Sequence, residues 1–124
     1  MARIVNTLDV PKLYSQNDAR FRYEAVKENV LGVKNVCGEV VVYPPGASGA
    51  SHYHIGTEHL FYITEGRGTI YVNDVPHEVK KGDFIAVFEG ERHWFKNHTE
   101  ETFAFLELFA PASYETVWED PHLK

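Results

Sequence analysis

The chain has 124 residues, 44% hydrophobic and 14% aromatic, which is enough apolar material for one packed core. Its 18 acidic and 12 basic residues give a formal charge of −6 without a run of either sign, which argues against a footprint for nucleic acid or an anionic membrane. A single cysteine, Cys37, excludes an internal disulfide and a cysteine-rich zinc module; its expected role is a small buried hydrophobe. The opening Met-Ala-Arg-Ile-Val-Asn-Thr has no long apolar stretch or small-residue cleavage site, and no apolar run reaches the ~18 residues a membrane span needs, so a cytoplasmic protein is expected.

In chain order, residues 20–27 are the first helical candidate. Short runs rich in Val, Ile, Phe, Tyr and Thr follow at 36–43, 59–64, 68–72, 76–79, 83–87, 92–96 and 102–109, each of strand length. Pro44-Pro45-Gly46 ends the first run, and Gly82 opens the fifth where the backbone must turn sharply. Asn73-Asp74 reads as a tight hairpin turn, because both residue types tolerate left-handed backbone. Residues 113–118 are a second helical candidate. Several short antiparallel strands in one chain must each bury a face, which predicts a single all-β domain: a jelly roll or closed barrel with its core at about 36–109 and the two ends packing on it.

In 59–64 and 103–109, apolar residues occupy both alternating faces, although a solvated barrel exterior should be polar at every second position. Something must cover the outer face; a homodimer partner is the first expectation and the folded-back N-terminal segment the second.

Seven histidines is a high count for this length. His52 and His54 are two apart, so on an extended strand both imidazoles leave the same face and can converge on one ion. His59 follows beyond Gly56, where the chain can bend back, and His93 follows the Glu89-Gly90 turn. Four neutral imidazoles packed together without an ion would leave buried nitrogens unsatisfied, at about 1–3 kcal/mol each.

These segments resemble the two signatures of the cupin superfamily. The first reads Gly46, five residues, His52-Tyr53-His54, four residues, His59, six residues, Gly66. The second reads Gly82, five residues, Phe88-Glu89-Gly90, two residues, His93, three residues, Asn97. Two departures stand out: His59 occupies the position of the family's usual glutamate, and Phe88 that of a common proline. Glu58 is the alternative ligand, but counting back from Gly66 gives His59, and adjacent strand residues point to opposite faces.

The resemblance implies a jelly-roll barrel holding one divalent transition metal, Fe, Mn, Zn or Ni, on His52, His54, His59 and His93. It implies a metal-dependent enzyme acting on a small oxygenated anion, with dioxygenase chemistry first, a non-redox isomerase, cyclase or lyase second, and a metal-loaded binding domain without turnover third. Strand parity places Phe61, Ile63 and Phe95 toward the lumen, and Glu107 is the one charged residue of the last run that could project inward as an acid or base. Tyr53 and Trp94 point the other way, Asn97 is expected to cap a turn, and His77, His98 and His122 match no ligand spacing.

Overall fold

The computed structural model describes residues 1–16 and 18–119, so His122 lies outside the described residues. Eleven strands form: β1 (Lys12–Tyr14), β2 (Phe21–Val26), β3 (Cys37–Tyr43), β4 (His52–Ile55), β5 (Glu58–Glu65), β6 (Arg67–Val72), β7 (Val75–Lys80), β8 (Phe84–Val87), β9 (His93–Lys96), β10 (Phe103–Ala110) and β11 (Glu115–Trp118). They make two antiparallel sheets, a six-stranded one ordered β1-β2-β3-β10-β5-β8 and a five-stranded one ordered β11-β4-β9-β6-β7. This is the jelly-roll barrel expected from the strand pattern. Among the described residues, no helix is long and apolar enough to cross a membrane.

Both helical candidates are strands. Residues 21–26 form β2, because the free edge of β3 offers a ladder to Phe-Arg-Tyr-Glu, with Arg22 opposite Val41 and Tyr23 opposite Val40. Residues 115–118 form β11 on the edge of β4, with Trp118 opposite His52 and Thr116 opposite His54. In both places pairing to a waiting edge outweighs weak local helix preference. The one short α-helix, α1 (Glu28–Leu31), ends at Gly32 in the left-handed conformation, φ 76°.

The Asn73-Asp74 hairpin forms as read, with φ 48° and 68° at the two residues and Val72 opposite Val75. β10 sits inside its sheet, paired with β3 on one side and β5 on the other. Its alternate residues Phe103, Phe105 and Phe109 are buried between the sheets. They join Val41, Tyr43, Phe61, Ile63, Ile70, Val79, Val87 and Phe95 in the core, most of them in one cluster. A Cβ on Gly68 would lie 2.7 Å from the Phe103 ring, so glycine lets β6 close over that end of the barrel. Asn97 is fully buried and ties the loop after β9 to β3: its Nδ2 donates to the Tyr43 and Glu101 carbonyls at 3.0 and 2.7 Å, and its Oδ1 accepts from Thr99 N at 2.9 Å.

Candidate metal centre and its cavity

β4 and β9 lie side by side, with His52 opposite His93, and β4's two-residue period sends His54 inward with them. One ligand nitrogen from each of His52, His54 and His93 lies within 4.8 Å of the others. Their tautomers follow from their partners. His52 Nδ1–H donates to the Ala50 carbonyl at 2.8 Å and His93 Nδ1–H to the Glu91 carbonyl at 3.0 Å. A carbonyl only accepts, so Nδ1 carries the proton in both rings and Nε2 keeps its lone pair. His54 Nδ1 meets Thr116 Oγ1 at 2.9 Å. Nε2 of His54 and Nε2 of His93 are buried with no hydrogen-bond partner.

That arrangement fits a metal ion. Buried, unpartnered imidazole nitrogens are costly unless something binds them, and orienting each ring through Nδ1 is how proteins aim Nε2 at a cation. These three histidines could hold a divalent transition metal.

His59 is buried at 2% exposure, while its neighbour Glu58 is exposed on the outer face, as the register argument requires. The ring lies beside the cluster, 5.0 Å from His54 and 5.3 Å from His93 between centroids, stacked on Phe109 at 3.9 Å. It does not join the three-histidine group. Its Nε2 makes a 2.8 Å hydrogen bond with Glu107 Oε2, and its Nδ1 is buried without a partner. The carboxyl on β10 thus engages the ring that the spacing assigns to an ion.

Glu107 faces inward, its side chain 14% exposed. Glu39 on β3 sits opposite it in register, 13% exposed, with Arg22 Nε 3.3 Å away. Burial pushes Glu39 up to about 8, with the Glu107 charge adding to it and Arg22 opposing. Burial likewise pushes Glu107 up to about 7, against the pull of Arg22 and Arg20. Burial also lowers His52 and His93 to about 4, and His54 and His59 to about 2, with neighbouring imidazoles adding to the effect.

A cavity of about 450 Å³ opens onto these groups, within the range of small-molecule sites. Phe61 and Phe95 line it as expected from parity, together with Phe105 and Phe109. Ile63 does not: it shares the inward face of β5 but sits fully buried in the packed core, where the barrel is filled rather than open. Trp94 lies flat on Tyr71, centroids 4.0 Å apart. His77 and His98 are exposed. Cys37 is half-buried, its thiol 3.7 Å from the Ala112 carbonyl.

The two chain ends contribute residues that spacing could not find. β11 brings Trp118 against His52 at 4.7 Å and Thr116 to His54, and Tyr114 stacks on Phe109 at 4.3 Å. The N-terminal segment adds Arg20 and Arg22. Glu39 had a signal of the same kind as Glu107, a lone carboxylate in an apolar strand on the parity of Val41 and Tyr43.

Fold and site together define a small β-barrel with three histidines that could hold a metal ion, and residues 39–109 match the cupin domain family model. The chain belongs to the cupin family. It is 34% identical over 97 residues to an uncharacterized protein of Methanocaldococcus jannaschii, covering 77% of each chain. Among solved structures it resembles a sugar phosphate isomerase of the cupin superfamily from Silicibacter pomeroyi, with a TM-score of 0.81 and 18% identity over 95% of this chain and 82% of that one. It also resembles the polyketide cyclase RemF from Streptomyces resistomycificus, with a TM-score of 0.79 and 21% identity over 98% of this chain and 89% of that one. At these identities the two structures share the fold.

Proposed function

We propose that this cupin is a metal-dependent enzyme that moves a proton on a small oxygenated anion without consuming an oxidant, as an isomerase, cyclase or lyase does. The observation that carries this reading is a buried carboxyl, Glu107, in the same cavity as the imidazole cluster. The two solved structures that share its fold are an isomerase and a cyclase, enzymes of the same reaction type.

A divalent ion on His52, His54 and His93, with the unpartnered Nδ1 of His59 as the proposed fourth donor, would polarise a substrate oxygen and make the adjacent C–H bond more acidic. Glu107 is the base. With its pKa pushed up to about 7 by burial, both forms are populated near neutral pH, so it can take a proton and return it. The 2.8 Å bond to His59 fixes the direction of its carboxyl. Phe61, Phe95, Phe105 and Phe109 keep the cavity wall apolar, which limits water at the reacting carbon.

The test is solvent exchange. Zinc-loaded protein, incubated without oxygen in deuterated water with a panel of small hydroxy and keto acids, should place deuterium on a carbon next to a carbonyl in at least one of them. Glu107→Gln should slow that exchange by about 100-fold or more, the usual weight of a general base, with zinc still bound. Turnover only when dioxygen is admitted would instead favour the dioxygenase chemistry implied by the family resemblance. Exchange unaffected by Glu107→Gln would remove Glu107 from the reaction.

We also propose that the protein is a homodimer through the outer face of the six-stranded sheet. That face carries Leu60 at 49%, Tyr62 at 36% and Phe84 at 81% exposure, with Tyr62 and Phe84 in ring contact, and clustered apolar exposure marks an interface. Light scattering at micromolar concentration should give twice the 14.2 kDa chain mass, and Phe84→Asp should shift it toward one. A wild-type mass of one chain would exclude the dimer.

A further inference from the structure

Arg20 stands apart from the proton-transfer machinery. It precedes β2, outside the 39–109 match, and lines the cavity that holds His52, His59, His93 and Glu107. Its side chain is 20% exposed. Asp18 Oδ1 accepts from the Arg20 backbone N–H at 2.9 Å and from Nε at 2.7 Å. One carboxylate oxygen therefore fixes the stem and Nε of the guanidinium.

The outer end of the fork is held differently. Nη1 reaches the Tyr43 hydroxyl at 3.4 Å and Nη2 the Ser15 hydroxyl at 3.5 Å. Both distances lie beyond the usual range for a strong N–H···O bond, and both partners are neutral. Gly49 shapes this corner, since a Cβ there would lie 2.7 Å from the Tyr43 oxygen and 3.0 Å from Nη1. The carboxyls that line the cavity with Arg20 are Glu107, on which it pulls, and Glu39. Arg22 is shared between Glu24 and Glu39, at 3.2 and 3.3 Å, and burial holds Glu39 mostly protonated near neutral pH.

We propose that Arg20, seated by Asp18 and Gly49, binds a carboxylate of the substrate, which makes the ligand a carboxylic acid whose apolar or aromatic body lies against Phe61, Phe95 and Phe105. A planar fork of donors can bind a carboxylate bidentately, and the aromatic lining matches the apolar body of an organic acid. This rests on the reading of the cavity as an anion-binding active site and names the group that anchors the anion.

The probe is benzoate, with neutral benzamide as its isosteric control, titrated calorimetrically into metal-free protein at pH 7. Wild type should prefer benzoate, and Arg20→Gln should weaken benzoate roughly tenfold or more, the weight of a charge-assisted bond, while leaving benzamide unchanged. Arg20→Lys, which keeps the charge but loses the fork, should fall between them. Gly49→Ala, which displaces Nη1 without removing charge, should also weaken benzoate. Circular dichroism checks that each variant is folded. Equal benzoate binding by wild type and Arg20→Gln, equal binding of benzamide and benzoate by wild type, or no benzoate binding by wild type would each overturn the proposal. Zinc titration of the same proteins keeps the two readings apart. Wild type that binds no zinc sinks the metal-dependent reading, whereas the benzoate result, measured without metal, decides Arg20 either way.

Discussion

His93→Ala is expected to lower zinc affinity by far more than 100-fold. Loss of a partner behind a ligand already costs roughly 10- to 100-fold, and His93 is a candidate ligand, its Nε2 buried and unpartnered and its Nδ1–H fixed on the Glu91 carbonyl. Competition with a calibrated chelator measures the affinity. Thr116→Val, which removes the hydroxyl beside His54 Nδ1 while keeping the side chain's shape, should lose roughly 10- to 100-fold, because it disturbs orientation and not the donor. His59→Ala decides the fourth position. A loss equal to that of His93→Ala makes His59 a ligand, as its place in the motif implies; a loss of tenfold or less leaves the ion to His52, His54 and His93 and His59 to its bond with Glu107. Unchanged affinity in His93→Ala would remove the metal centre altogether.

Without metal, the protein should be most stable near neutral pH and lose stability on acidification. His52 and His93 titrate at about 4 when folded, chiefly through burial, against 6.5 when unfolded. His54 and His59 are lowered further, to about 2. The unfolded chain therefore takes up protons first, and each imidazole withdraws stability as the pH falls from about 6.5 toward its folded value. Glu39 and Glu107 act with the opposite sign. Raised from 4.5 to about 8 and about 7, they add stability that is complete below 4.5 and is lost as the pH rises through 7 and 8.

Between 6.5 and 4.5, four imidazoles oppose two carboxyls, so the imidazoles win by on the order of 1 kcal/mol per pH unit. Urea unfolding in the presence of a chelator, at pH 5, 6, 7 and 8, measures this. Glu39→Gln should flatten the fall above pH 7 and steepen the loss between pH 6.5 and 4.5, because it removes one of the two opposing carboxyls. Stability that rises steadily from pH 6.5 down to 5 would show that the imidazoles are not buried together as described. The same depression bears on metal release. Free imidazole would surrender an ion as the pH drops through about 6.5, whereas rings held near 4 or below compete for protons less well and should retain it further into acid. Retention at pH 5 is then no argument for a carboxylate ligand.

Much of the barrel was legible because its strands advertise themselves locally. The Val-, Phe- and Tyr-rich runs at 36–43 and 102–109, the Asn73-Asp74 turn and the glycines at 46, 66, 82 and 90 are short-range signals, and each has its counterpart in the fold. A period of two separated His59 from Glu58, since on a strand the facing of one residue decides that of its neighbours. Residues 20–27 and 113–118 carry a weak helical pattern and form strands instead, and nothing within them reports that the edges of β3 and β4 are free to pair.

Spacing and strand parity were thus enough to place four histidines on inward faces, because those are properties of a chain and its nearest turns, whereas the inward facing of Glu107 was left open by the sequence and set by the structure. The grouping of three imidazoles and the bond that draws His59 to Glu107 depend on which strands pair and in what register, and the depth at which Ile63 leaves the cavity for the core on how the two sheets pack. So do Glu39 beside Glu107, Arg20 against Tyr43, and Trp118 against His52, contacts between residues 68, 23 and 66 positions apart in the chain. Such contacts leave no periodic trace in the sequence, because each joins neighbouring strands that are far apart in the chain, and which strands pair is decided by the fold.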